Sequence, residues 1–152
     1  LSAADADNIN DVEFYKCRDD GFVLDTLTGN WLSPTDEGYE RAALSEENYA
    51  RAFSVQQADD GSIEYIVEDG YKLSPFVETM FADGSIDYIF AYDAVHARDP
   101  KHQRSSMIEI EDSGIIRFED VVGGDYDYND VFFDPSRDPG LAALIASSVY
   151  QQ

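Results

Sequence analysis

A chain of 152 residues with 32 acidic against 10 basic side chains, a formal net charge of −22, offers no basic surface to nucleic acid or to an anionic membrane. Hydrophobic residues at 43%, with 10 Tyr and 9 Phe, exclude disorder by composition and favour strands, and the length suits one domain with a single core. The lone cysteine, Cys17, excludes an internal disulfide and reads as a small buried hydrophobe, and no stretch reaches the ~18 apolar residues of a membrane helix.

Residues 1–10 are small and polar and read as a lead-in or linker. Val12, Phe14 and Cys17 suggest a first strand, Arg18-Asp19-Asp20-Gly21 a turn, and Phe22-Val23-Leu24 a second short strand. Thr28-Gly29-Asn30 is another turn signal. Trp31 follows it and is expected to anchor the core, as large aromatics commonly do. Ser33-Pro34 reads as the N-cap and first residue of a helix, with Asp36 and Glu37 in its first turn. Tyr39, Ala42 and Ala43 supply its apolar face, Gly38 weakens it, and Ser45 restarts it as a second cap. The expectation is one short or broken helical insertion between Pro34 and Phe53.

Strands follow. Residues 60–67 (DGSIEYIV) and 83–90 (DGSIDYIF) nearly repeat, each opening on a DGS turn and continuing as an alternating strand. Convergence on good hairpin chemistry explains the similarity. Pro75 marks a strand edge or start. Ile86, Tyr88, Phe90 and Tyr92 share one face and Ile89, Ala91 and Ala94 lie largely on the other, as in a strand buried on both sides. HARDPKHQR, from His96 to Arg104, interrupts the acidity with both histidines and three of the ten Lys and Arg residues. Such a loop is ordinarily solvated surface; the competing reading is a second wall of a ligand site, which makes Asp93 and His96 ligand-facing candidates. Met107, Ile108 and Ile110 form a further strand and Ser113-Gly114 a turn. Beyond Asp138-Pro139-Gly140 the apolar tail, 140–152, either packs on the fold or leads into another domain.

The densest chemistry lies in RFEDVVGGDYDYNDVFF, from Arg117 to Phe133. Glu119, Asp120, Asp125, Asp127 and Asp130 place five carboxylates close together, Asn129 adds an amide oxygen, and Arg117 is the only base. Such a cluster repels itself unless a cation sits in it. Asp125, Asp127 and Asn129 alternate as the first ligands of a calcium loop do, and hard oxygen donors without adjacent His or Cys favour calcium over zinc, and over magnesium, which keeps more water. Asp120 is either a ligand or a partner of the backbone donors of the Gly123-Gly124 turn. The loop is not an EF-hand, for counting from Asp125 the sixth and twelfth positions hold Asp130 and Ser136. Nor is it a calcium-binding β-helix repeat, which needs a third glycine and tandem copies. Ile115, Ile116 and Phe118 lead in and Val131, Phe132 and Phe133 lead out, so strands are expected to close it. The plain alternative is an acidic, solvated turn. Tyr126 and Tyr128 alternate with the acids, so one is expected to face a ligand and the other to pack inward.

FEDVVGGDYDYNDVFF resembles the closing signature of a bacterial domain-of-unknown-function family. That signature is FED, then GGD or GGGD, then D-[FY]-N-D and an apolar strand. Val121 stands where Leu is usual and a third Gly is missing, and neither change removes a carboxylate. A looser resemblance takes in the early strand and acidic turn, GYERAAL, LSPF and DGSIDYIFAYDA. The family recurs in large secreted RTX-type adhesins, where some members are calcium-dependent ligand-binding modules. The resemblance implies a mainly β fold, an antiparallel β-sandwich spanning 11–139, and extracellular delivery, by type I secretion, as part of a longer chain. The chain opens on LSAADADN without an initiating Met or a leader pattern and reads as an excised domain.

The functional expectation is a calcium-dependent adhesion domain that recognises a cell-surface peptide or carbohydrate. Ca2+ would brace the loop or offer open coordination positions to the ligand, reversing the local acidic field. Peptide and sugar remain equally open. A purely structural calcium spacer or cap would use the same loop. A carboxylate hydrolase is the third reading, but no GxSxG, HExxH or phosphate-loop pattern is present, and no isolated acid in an apolar setting suggests a raised pKa, so no enzyme is expected. The acidity itself fits bound divalent cations, a salty environment or plain solubility.

Overall fold

A computed structural model of the chain describes residues 9–97, 108–118 and 131–152. The fold is mainly β with a few short helical turns. The strands are β1 (Ile9–Cys17), β2 (Val23–Leu24), β3 (Trp31–Leu32), β4 (Ser54–Gln57), β5 (Ile63–Ile66), β6 (Lys72–Met80), β7 (Ile86–Phe90), β8 (Ile108–Ile110), β9 (Ile116–Phe118) and β10 (Val131–Phe133). They form two three-stranded sheets, β1-β6-β7 and β10-β9-β8, and two hairpins, β2-β3 and β4-β5. The chain divides into two compact units. One takes Leu1–Glu13 with Pro75–Phe133, the other Phe14–Ser74 with Asp134–Gln152.

One local device shapes both units. In residues 18–22, 58–62, 81–85 and 111–115 the first N–H donates to the fifth carbonyl, and the glycine at the fourth position donates back to the first, at 2.8–2.9 Å. Gly21, Gly61, Gly84 and Gly114 all have φ between +86° and +90°, the left-handed region open to glycine. This is the three-residue hairpin loop, a type I turn closed by a glycine bulge. In three copies the third residue is Asp, whose Oδ1 accepts the fifth residue's N–H: Asp20 from Phe22 (3.1 Å), Asp60 from Ser62 (2.9 Å) and Asp83 from Ser85 (2.8 Å). The two DGS segments therefore match because both perform this turn.

In the first unit β6 and β7 pair antiparallel from Phe76↔Phe90 to Met80↔Ile86. The pairing grades from exposed Met80 and Ile86 to fully buried Phe76, Val77, Ile89 and Phe90, with the rings of Phe76 and Phe90 stacked 5.5 Å apart. Only the second half of β7 is thus buried on both sides. Pro75 is a buried residue inside β6 rather than its edge or start. Its missing N–H falls just before the β7 pairing begins at Phe76, where it interrupts no bond of that ladder. At the other end Thr79 Oγ1 donates to Asn10 Oδ1 at 2.8 Å, so Asn10, expected in the lead-in, is part of β1.

The second unit holds the broken helical insertion. Its helix spans Tyr39–Ala43, not Pro34 onward. Ser33 N–H donates instead to Asp36 Oδ2 (2.8 Å), which closes a local turn, and Gly38 takes φ +89°, which an α-helix does not accommodate. Ser45 does cap the next turn, Glu46–Ala50, accepting from Asn48 N–H. Tyr39, Ala42 and Ala43 are buried as expected. Trp31 is the clearest departure from expectation. It is 37% exposed, with the Arg18 guanidinium 4.6 Å above its ring and Tyr71 6.0 Å away. The core positions go to Tyr15 and Tyr39, whose hydroxyls bond each other at 2.9 Å while Tyr39 also donates to the Gly21 carbonyl. Cys17 is buried there too.

The apolar tail is built into this unit. Leu73 N–H donates to the Leu144 carbonyl and Ala146 N–H to the Leu73 carbonyl, both at 2.8 Å, and Leu141, Ile145, Ala146 and Val149 are buried. Asp138 holds the tail's first turn, accepting from Leu141 N–H and from Tyr65 Oη at 2.6 Å.

Candidate functional site

β9 is the middle strand of its sheet. It pairs with β8 from Ile108↔Phe118 to Ile110↔Ile116 and with β10 from Val131↔Phe118 to Phe133↔Ile116, antiparallel on both sides. Strand geometry sends alternate side chains to opposite faces. Ile108, Phe118 and Val131 form one row on the inner face, and Ile116 and Phe133 belong to the next row; all five are buried. Glu109, Arg117 and Phe132 form the outer row.

The frame fixes the ends of the acidic segment. Residues 119–130 connect Phe118 to Val131, and those two residues face each other across the ladder. The sequence expectation that strands close this segment is met on both sides. Its candidate ligands, Glu119, Asp120, Asp125, Asp127, Asn129 and Asp130, lie outside the described residues, as do Tyr126 and Tyr128.

Arg117, the one base of the segment, sits on the outer face. Its Nε donates to Glu111, and its guanidinium stands 5.4 Å from the ring of half-exposed Phe132. Glu111 was not singled out in sequence, although its position at the head of the Ser113-Gly114 turn places it two strand residues from Arg117 in the hairpin register.

Asp93 and His96 sit together on one helical turn, Asp93–His96, directly after β7. Asp93 is partly buried. His96 is 6% exposed, and its Nε2 accepts the Phe90 N–H at 2.9 Å with the two rings 5.9 Å apart. A ring nitrogen that accepts a proton-bearing N–H is unprotonated, so His96 is the neutral tautomer with its proton on Nδ1. Its visible work is to fasten this turn to β7. Residues 98–104 of the basic loop lie outside the described residues. Among the described residues no group of three or more His, Cys, Asp or Glu is placed to hold a metal ion.

The remaining acids include one unfavourable group and one favourable one. Burial, then Asp11 and Glu78, push the Glu13 carboxyl above its ordinary range. Asp25, buried beneath the β2-β3 turn, accepts from both terminal nitrogens of Arg41 (3.2 and 2.8 Å), from Leu27 N–H and from Thr28 Oγ1. The Arg41 hydrogen bonds, with those of Leu27 and Thr28, hold its pKa down at about 2. Compared with protein-family models, curated proteins and solved structures, the chain matches none.

Proposed function

We propose that this chain is a calcium-dependent ligand-binding domain of a large secreted bacterial adhesin, folded as an antiparallel β-sandwich, which recognises a cell-surface peptide or carbohydrate. One observation carries the reading: five carboxylates and an amide oxygen lie on a connection whose two ends are tied by the Phe118↔Val131 strand pair. Tying the ends lowers the entropy cost of gathering ligands from one loop. The donor set is all oxygen, which suits calcium. Asp125, Asp127, Asn129 and Asp130 would hold the ion, with Glu119 and Asp120 completing or bracing the set. The bound ion supplies local positive charge and open coordination positions, so an acidic domain can take up a carboxylate or sugar hydroxyls. The resemblance of FEDVVGGDYDYNDVFF to the adhesin signature supports the extracellular setting.

The test is binding of the domain to a peptide and glycan library in calcium, in magnesium and in chelator, with circular dichroism recorded in each. Binding should require calcium and be poorly supported by magnesium. Asp127→Ala should weaken calcium binding at least about tenfold by calorimetry, as expected for loss of a charged ligand. Asp59→Ala, an exposed acid on a turn, should leave it unchanged. Undiminished ligand binding by the folded domain in chelator would remove calcium from the mechanism.

A further inference from the structure

We propose a second binding site, for a neutral sugar, in the unit Phe14–Ser74 with Asp134–Gln152, independent of calcium and of the acidic connection. A groove of about 530 Å³ opens there between the first acidic turn and the C-terminal turn, lined by Arg18, Asp19, Asp20, Ser147, Ser148 and Gln151 together with Gly70.

Its polar groups are held in place before any ligand arrives. Asp20 accepts from Arg18 Nε (3.1 Å) and from the adjacent terminal nitrogen (2.5 Å), a two-pronged contact that fixes both side chains. The same guanidinium is wedged between the rings of Phe22 (4.7 Å) and Trp31 (4.6 Å). Asp19 accepts from Ser147 N–H at 2.8 Å and from Ser147 Oγ, so its carboxylate is fixed from the opposite wall. Gly70 precedes half-buried Tyr71, whose ring lies 6.0 Å from that of Trp31 and carries the Lys16 ammonium 4.8 Å from its centre, so Trp31 reaches the groove through Arg18.

Charge selects the ligand class. Arg18 offsets Asp20, which leaves Asp19, held by the Ser147 N–H and hydroxyl, as the one uncompensated charge of the lining on a chain of net charge −22. An anion gains little from a guanidinium already engaged by Asp20, and a cation finds a single uncompensated carboxylate, Asp19, whose two oxygens already accept from Ser147. A sugar hydroxyl donates and accepts at once, and matches carboxylate, guanidinium, hydroxyl and amide groups set side by side.

Trp31 is the only tryptophan in the chain, so its emission reports on this place alone. The purified domain would be titrated with glucose, galactose, mannose, fucose and N-acetylglucosamine, each to about 50 mM, since single-sugar sites of this open kind bind near the millimolar range. Each titration would be run in calcium and in chelator. The expected result is a saturable change in emission with at least one sugar, unaltered by chelator. Gln151→Ala and Ser148→Ala should weaken it at least about fivefold while Trp31 and the circular dichroism stay unchanged, as expected for loss of one hydrogen bond to a ligand. No saturable response to any of the five sugars overturns the proposal, as does a response that both variants keep in full. A response abolished by chelator in the folded domain would assign sugar binding to the calcium loop instead.

Discussion

At the scale of single residues, the acids of this chain do unlike work. Asp20, Asp60 and Asp83 close their own turns, and Asp138 fastens the tail. Asp25 is the most committed. Its carboxylate, 2% exposed, receives Arg41, Leu27 and Thr28 together, and its pKa falls from 3.8 to about 2. A carboxyl lowered on folding stabilises the fold above its unfolded pKa, and that stability is lost as pH falls through the folded value. The Asp25 contribution is therefore complete above 3.8 and gone below about 2. Thermal unfolding between these limits should show the wild-type midpoint falling with acid more steeply than that of Asp25→Asn. Parallel profiles would mean that the Arg41 pairing adds nothing.

At the scale of elements, the glycine-closed turn is the unit that recurs. Gly84 has φ +86°, and nothing lies within 4 Å of where a Cβ would stand. Gly84→Ala therefore meets no clash, and only its backbone conformation is penalised, by about 1–2 kcal/mol. Gly84→Asn should recover part of that, because Asn tolerates the left-handed region better. Denaturant midpoints of the two variants check this, and an unchanged Ala variant would mean that the turn rearranges freely. These turns were legible in sequence because their chemistry is local: an Asp, then a Gly, between strand formers. The frame around 119–130 was legible too, since Ile116, Phe118, Val131 and Phe133 alternate cleanly. Trp31 was not, because nothing in its neighbours announces that Tyr15 and Tyr39, far apart in sequence, fill the core. The helix start failed for a related reason. Ser33-Pro34 carries a cap pattern, but Asp36 takes the Ser33 N–H and Gly38 turns left-handed before a helix can run. His96 looked like a loop histidine, and its acceptor bond to Phe90 depends on a turn that folds back on β7.

At the scale of the whole molecule, 32 acids against 10 bases must be tolerated by the compact state. Two accounts of that tolerance differ in what relieves the repulsion. If the acidity serves solubility or a salty medium, any salt should screen it, with a Debye length of ~10 Å at 0.1 M and less above that. If a calcium ion is part of the fold, stabilisation should follow occupancy of a site instead, adding about 2.7 kcal/mol at a calcium concentration 100 times the dissociation constant. Thermal midpoints measured at constant ionic strength, with sodium chloride replaced stepwise by calcium chloride, separate the two. The midpoint should rise and then keep climbing slowly with the logarithm of calcium, and magnesium at the same concentrations should raise it much less, because it holds its waters and demands octahedral geometry. Glu13→Gln gives an internal control. Burial and its acidic neighbours Asp11 and Glu78 raise the Glu13 pKa, so the folded state is penalised by its charge at neutral pH, and removing that charge should raise the midpoint there whether or not calcium is present. A calcium effect equal to that of sodium chloride at matched ionic strength, with Glu13→Gln still stabilising, would leave screening as the whole account and the acidic connection as a solvated turn.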